Sequence, residues 1–125
     1  MSITILLIED NAQNRYLATF LLEKKGYSVM AALDGPSGIE LAATLHPQLI
    51  LLDIQLPKMD GYAVARALRN NPELQHVPIV AVTSYAMLGD RDKALAAGCD
   101  GYLEKPINPE TFVADIEHFL QQPQS

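Results

Sequence analysis

Apolar runs alternate with segments of helical periodicity five times along the chain of 125 residues. A short apolar run bounded by turn-forming residues is typical of a buried strand. Between these runs, apolar residues recur at spacings of three and four, which is typical of amphipathic helices. The predicted strands are Ile3–Ile8, Tyr27–Ala32, Leu49–Leu52, Ile79–Val82 and Gly101–Glu104.

Capping and breaking residues mark where the predicted helices begin and end. Asparagine and aspartate cap the amino termini of helices, proline is tolerated in the first turn, and glycine often ends a helix. The predicted helices run from Asn11 to Gly26, from Gly35-Pro36 to Leu45, from Asp60 through Leu68, over Asp90–Ala97, and from Asn108-Pro109 through Leu120.

This alternation of strands and helices predicts an α/β fold with a parallel sheet. Strands that are apolar at almost every position are typical of parallel sheets that helices cover on both faces. Residues 1–121 are expected to form one domain, followed by a polar tail over residues 122–125. In open sheets of this kind, ligands bind beyond the carboxyl ends of the strands. The residues that end each strand are therefore the candidates for function.

Polar residues follow four of the predicted strands. They are Glu9 and Asp10 after the first, Asp53 after the third, Thr83 and Ser84 after the fourth, and Lys105 after the fifth. A carboxylate at the end of a run as apolar as Leu49–Leu52 is unfavourable unless another group compensates its charge. Taken singly, Asp53 and Lys105 are compatible with solvated side chains, and Thr83 with a helix cap. Their joint occurrence at strand ends favours a common site.

The strand-end residues carry the groups that phosphoryl transfer needs. If the first and third strands are neighbours, Glu9, Asp10 and Asp53 converge, and carboxylates this close repel one another unless a cation is present. Mg²⁺ suits such oxygen ligands and takes further oxygens from a phosphate. Lys105 and the Thr83 hydroxyl add a cation and a donor for phosphate oxygens. The set predicts a site that combines a carboxylate nucleophile, Mg²⁺ as cofactor and charge-neutralising groups for phosphoryl transfer.

The overall charge and hydropathy argue against several classes of function. The formal net charge is −6 and the pI is about 4.8, whereas direct nucleic-acid binding normally needs a basic surface. No apolar run approaches the roughly 18 residues of a membrane span, and the first ten residues lack the features of a signal peptide. We therefore expect a cytoplasmic protein that neither inserts into membranes nor binds nucleic acid directly.

Four ordered motifs resemble the receiver domain of two-component response regulators, in particular the single-domain type related to chemotaxis regulators. They are LIEDN (Leu7–Asn11), LLDIQLPKMDG (Leu51–Gly61), VAVTSY (Val80–Tyr85) and GYLEKPI (Gly101–Ile107), and the similarity extends over nearly the whole chain. Each motif alone is weak, but the ordered set is specific. The resemblance implies a flavodoxin-like, doubly wound (βα)5 fold with a five-stranded parallel sheet in the order 2-1-3-4-5.

The resemblance also implies how the acidic residues act. Asp53 would accept a phosphoryl group from the phosphohistidine of a histidine kinase or histidine phosphotransfer protein. Asp10, Asp53 and the backbone carbonyl of Gln55 would bind Mg²⁺. Glu9 would act on the metal directly or through a water molecule.

The remaining residues of the motifs would form the switch. Lys105 would pair with the phosphoryl group, and the Lys105-Pro106 bond would be cis, which is a minority state for such bonds. The Thr83 hydroxyl would move to the phosphoryl group, and Tyr102 would then turn inward. Ser84 occupies a position that is kept small beside the site.

Two further positions would flank the path of the water that hydrolyses the acyl phosphate. They are Gln55 and Tyr85, and we expect the bulky Tyr85 to shield the site and slow hydrolysis. Gly61 matches a loop glycine, at which an unusual backbone angle is expected.

The expected function is a phosphorylation-dependent switch in a monomer or weak homodimer. Its fourth helix, fifth strand and fifth helix would contact a downstream protein, and it would catalyse only its own phosphorylation and dephosphorylation. A phosphate-independent scaffold and a receiver excised from a hybrid histidine kinase remain alternatives. A phosphatase of the haloacid dehalogenase kind is disfavoured, because those enzymes carry an aspartate two residues after the nucleophile, where this chain has Gln55.

Overall fold

A computed structural model describes residues 3–84 and 89–121 of the chain. Five parallel strands form one sheet in the order β2-β1-β3-β4-β5. The strands are β1 (Thr4–Ile8), β2 (Ser28–Ala32), β3 (Leu49–Asp53), β4 (Ile79–Thr83) and β5 (Gly101–Glu104). The predicted flavodoxin-like fold and its strand order are therefore confirmed.

Five α-helices connect and follow the strands: α1 (Ala12–Lys24), α2 (Gly35–Leu45), α3 (Gly61–Arg69), α4 (Asp90–Ala96) and α5 (Phe112–Gln121). The predicted caps at Asn11 and Asp60 are confirmed, since each side chain accepts a backbone N–H of the first turn. A short 3₁₀ helix at Pro72–Leu74 was not predicted. The predicted start of α5 at Asn108 is wrong, because α5 begins at Phe112. The Asn108 carbonyl accepts the N–H groups of Thr111 at 3.1 Å and Phe112 at 2.9 Å, so a turn leads directly into the helix.

The two faces of the sheet carry separate hydrophobic clusters. Alternate strand residues point to opposite faces, so neighbours in sequence contribute to different clusters. On one face, Leu6, Ile8, Ile50 and Leu52 pack with Ala42 of α2, Val64 and Leu68 of α3 and Ala94 of α4. On the other face, Ile5, Leu7, Leu51 and Val82 pack with Ala18 and Leu22 of α1 and with Phe112 and Ile116 of α5. Helices thus cover both faces, as a parallel sheet requires.

Strands β3 and β4 extend one residue beyond their predicted ends and include Asp53 and Thr83. Asp53 lies opposite Val82 in the ladder, and Thr83 lies opposite Glu104. The Lys105 N–H donates to the Thr83 carbonyl at 2.7 Å. Backbone pairing therefore fixes three of the predicted site residues at one edge of the sheet.

At the opposite edge of the sheet, the Arg69 side chain joins several segments. Its guanidinium donates to the carbonyls of Leu74, Val77 and Gly98 at 2.8 Å each. It also forms an ion pair with Asp100, the residue that directly precedes β5. The Arg69 side chain is only 20% exposed, so these carbonyls depend on it rather than on water. No helix within the described ranges is long and apolar enough to cross a membrane.

We expect Arg69→Met to lower the free energy of unfolding by about 2–3 kcal/mol, because a partly buried cluster of carbonyls loses its charged donor. Arg66→Met is the matched control, since Arg66 is an exposed residue of the same helix. Its effect should stay within about 0.5 kcal/mol. Urea denaturation of both variants measures the difference, and equal losses would show that Arg69 does not join these segments.

Candidate functional site

Three carboxylates meet at the carboxyl edge of the sheet. Glu9 and Asp10 follow β1, Asp53 ends β3, and one oxygen of each lies within 4.8 Å of the others. Glu9 is 3% exposed and Asp53 is 2% exposed, whereas Asp10 faces solvent. The convergence predicted for these residues is therefore present in the structure.

Lys105 is the cation that faces this acidic group. Its Nζ lies 2.9 Å from Glu9 Oε1 and 3.2 Å from Asp53 Oδ2, and the lysine side chain is only 10% exposed. The predicted cis bond between Lys105 and Pro106 is confirmed. The lysine is thus a partly buried member of the site and not a solvated side chain.

The loop between β1 and α1 is held by a residue that the sequence did not identify. Arg15 Nη1 donates to the carbonyls of Glu9 at 3.2 Å and Asp10 at 3.0 Å. The Asn11 N–H donates to Glu9 Oε2 at 3.2 Å. Arg15 therefore positions the backbone of the acidic pair. Its place in the first turn of α1, a few residues after that pair, is the only sequence signal for this role.

The environment changes the acidity of two of these groups. Burial raises the pKa of Glu9 to about 7, and a hydrogen bond and the charge of Asp53 add to the rise while Lys105 opposes it. Burial alone would lower the pKa of Lys105, but hydrogen bonds and charges from Glu9 and Asp53 raise it overall. One lysine therefore does not compensate the charge of the three carboxylates.

A hard divalent cation fits this imbalance. The three carboxylate oxygens are close enough to share one ion, and Mg²⁺ is usually bound by one or two carboxylates together with several waters. The exposure of Asp10 leaves room for such waters. The Gln55 N–H donates to Asp53 Oδ1 at 3.0 Å, so the backbone of Gln55 is adjacent to the carboxylates. Its carbonyl as a metal ligand stays a prediction.

The Gln55 side chain has contacts that the sequence did not predict. Its Nε2 donates to Thr83 Oγ1 at 2.7 Å, and its Oε1 accepts the Ser84 N–H at 3.1 Å. Thr83 is buried with 2% exposure, and Ser84 is exposed. The carboxamide thus connects the loop after β3 to the end of β4. Sequence spacing placed Gln55 near Asp53 but contained no signal for this contact.

The structure places the remaining predicted residues around this edge. Tyr102 is half-buried on β5 and packs against the hydrophobic cluster that lies between the sheet and helices α2, α3 and α4. Pro106 is exposed. Tyr85 lies outside the described residues, so its predicted shielding role stays a prediction.

Gly61 is needed for a different reason from the one predicted. The glycines with positive φ are at other positions, so the expected unusual backbone angle at Gly61 is wrong. A Cβ atom at this position would lie 2.5 Å from the Ile54 Cα and 2.8 Å from the Asp53 carbonyl oxygen. Close approach of the backbone to the strand that carries Asp53 therefore excludes a side chain.

Comparison with known proteins agrees with this geometry. The sequence matches the response regulator receiver domain family over residues 5–117. The chain belongs to this family. It is 38% identical over 120 residues to the polar-differentiation response regulator DivK of Brucella ovis, covering 96% of this chain and 98% of that protein.

Solved structures of receiver domains superpose closely on the chain. The receiver domain of a sensor histidine kinase from Pseudomonas aeruginosa is 33% identical, has a TM-score of 0.90 and covers 98% of this chain and 100% of its own, with a magnesium ion in its active site cleft. The BeF3-activated receiver domain of RstA from Klebsiella pneumoniae is 30% identical and has a TM-score of 0.87. The match covers 95% of this chain and 99% of that domain.

Family membership establishes the general class of this protein. Receiver domains belong to two-component signalling and act as switches rather than as classical enzymes. They bind Mg²⁺ in an acidic pocket, and Glu9, Asp10 and Asp53 form an acidic cluster in this chain.

The raised pKa of Glu9 predicts a pH dependence of stability in metal-free buffer. Between its ordinary value of 4.5 and about 7, the folded chain keeps a proton that the unfolded chain has lost. The folded state therefore binds more protons, and this group contributes a free energy of unfolding that falls as pH rises through that window. We expect Glu9→Gln to remove this contribution, as measured by urea denaturation between pH 5 and 8 with a chelator.

The control is Glu23→Gln, which makes the same change at an exposed residue of α1. As pH rises, the free energy of unfolding of the wild type should fall relative to that of Glu9→Gln. The difference in free energy of unfolding between the wild type and Glu23→Gln should change little. A difference between wild type and Glu9→Gln that is constant across this window would contradict the assignment.

Proposed function

We propose that this chain is a phosphorylation-controlled switch in which Asp53 accepts a phosphoryl group from the phosphohistidine of a histidine kinase or histidine phosphotransfer protein. The observation that carries the proposal is the position of Asp53. It is a carboxylate with 2% exposure at the end of an apolar strand, ion-paired to a partly buried lysine at 3.2 Å. A structural role alone does not explain this arrangement, because burying charged groups is unfavourable.

The contacts of Asp53 prepare its carboxylate as a nucleophile. One oxygen accepts the Gln55 N–H and the other faces Lys105, so both are oriented before a donor arrives. An oxygen of Asp53 would form a bond to phosphorus while the bond between phosphorus and the imidazole nitrogen of the donor breaks. The leaving imidazole keeps the electron pair of that bond and takes up a proton.

Lys105 then compensates the charge that the transfer brings to the site. It would move its hydrogen bonds from the carboxylates to the phosphoryl oxygens. Mg²⁺ held by Glu9, Asp10 and Asp53 would supply further positive charge at the same oxygens. Since phosphoryl transfer is accelerated mainly by positioning and electrostatics, these residues suffice without an additional acid or base.

The same groups would convert the modification into a change of surface. Thr83 ends the strand next to Asp53, and Tyr102 lies on the neighbouring strand β5. Shifting two states from 1:99 to 99:1 takes about 5.5 kcal/mol, and hydrogen bonds to charged groups supply about 1.5–3 kcal/mol each. A few bonds from Thr83 and Lys105 to the phosphoryl group therefore suffice. We place the contact with the downstream protein on α4, β5 and α5.

The test is to incubate the protein with Mg²⁺ and acetyl phosphate and to determine its intact mass. We expect the wild type to gain one phosphoryl group and Asp53→Asn to gain none, because the amide is not a nucleophile. Asp60→Asn is the matched control, since Asp60 is an exposed residue in the same segment and asparagine can still cap α3. This control should gain the group as the wild type does.

Removing Mg²⁺ with a chelator should abolish the gain in every variant. If the wild type gains no group under conditions that preserve acyl phosphates, the scaffold alternative replaces this proposal. A gain that persists in Asp53→Asn would place the acceptor at another residue.

A further inference from the structure

The proposed reaction does not use the contacts of the Gln55 carboxamide. This side chain lies two residues after Asp53 and is partly buried. Both of its polar atoms are engaged, Nε2 with Thr83 Oγ1 at 2.7 Å and Oε1 with the Ser84 N–H at 3.1 Å. These contacts join the acceptor loop to the residue that would act as the switch.

From these contacts we infer that Gln55 is a latch that holds Thr83 in its resting position in the unphosphorylated chain. The inference rests on the proposed function, since it concerns the movement of Thr83 toward a phosphoryl group on Asp53. Gln55 is a positioning residue in this scheme, because it acts through Thr83.

The geometry explains why the latch opposes that movement. A threonine hydroxyl changes position mainly by rotation of about 120° between staggered χ1 rotamers. Such a rotation takes Oγ1 out of the narrow range of distances and angles in which a hydrogen bond persists. The bond from Gln55 Nε2 must therefore break or Gln55 must move as well.

The second contact of the carboxamide restricts the backbone at the same point. Oε1 accepts the N–H of Ser84, the first residue after β4. The Gln55 backbone is fixed in turn, because its own N–H donates to Asp53 Oδ1 at 3.0 Å. A single residue thus connects the acceptor, the switch hydroxyl and the beginning of the following loop. If Gln55 stays in place, Thr83 and Ser84 cannot both leave their resting positions without the loss of both side-chain bonds.

Beryllofluoride tests the latch, because it binds to an aspartate carboxylate as a mimic of a phosphoryl group. We expect Gln55→Met to bind it in the presence of Mg²⁺ about 3- to 10-fold more tightly than the wild type, which is the range that the loss of one neutral hydrogen bond, the one to Thr83, predicts. Methionine has a similar length but lacks the donor and the acceptor. Isothermal titration calorimetry measures both affinities.

A matched control is available at the opposite edge of the sheet. Gln48 Oε1 accepts the Thr4 N–H at 2.6 Å, so Gln48→Met removes a comparable contact outside the site and should leave the affinity unchanged. Gln55→Ala removes the same two bonds as Gln55→Met with a smaller side chain, and tighter binding by both variants would exclude an effect of side-chain size.

A conformational readout separates the latch from a general loss of packing. In the unliganded Gln55→Met variant, the amide resonance of Tyr102 should shift toward its position in the wild type bound to beryllofluoride.

Equal or weaker binding by Gln55→Met and Gln55→Ala would overturn the latch while the proposed function stands. A wild type that binds no more beryllofluoride than Asp53→Asn would overturn the proposed function and the latch with it.

Discussion

The buried ion pair between Asp53 and Lys105 is the interaction on which the site depends. Three carboxylates within 4.8 Å of one another repel, and removing Glu9 and Asp53 from water adds a further penalty. Lys105 offsets part of the repulsion and part of the desolvation penalty. Backbone pairing holds this lysine at the site, because its N–H donates to the carbonyl of Thr83. The compensation is incomplete, since one lysine faces three carboxylates. The site therefore favours an added cation.

Much of the fold could be predicted because its signals are local. Asn11 and Asp60 cap the residues that directly follow them, and the apolar runs form the strands at nearly their predicted ends. The convergence of Glu9, Asp10 and Asp53 also followed, since parallel strands bring their carboxyl ends to one edge. Strand adjacency itself came from the family resemblance and not from the pattern of apolar residues.

The features that the sequence did not predict depend on contacts that form only when the strands, helices and loops pack together. Gln55 was expected to contribute its backbone carbonyl to the metal and its side chain to the path of the hydrolytic water. Only the approach of β4 shows that the side chain reaches Thr83. The role of Gly61 was assigned to its backbone angle, whereas the close packing of α3 against Ile54 decides it. Arg15 and Arg69 both donate to backbone carbonyls. Every residue has the same backbone carbonyl, so the sequence does not indicate which carbonyls a given arginine will bind.

The contacts of Arg69 hold together the segments that lead into β4 and β5. They connect the end of α3, the segment before β4 and the turn before β5, all at the amino edge of the sheet. Strands β4 and β5 are thereby fixed at the ends that lie farthest from Asp53. If Thr83 moves as we propose, the displacement of β4 and β5 would therefore be largest at their carboxyl ends, beside Asp53, and smallest at the amino ends that Arg69 holds.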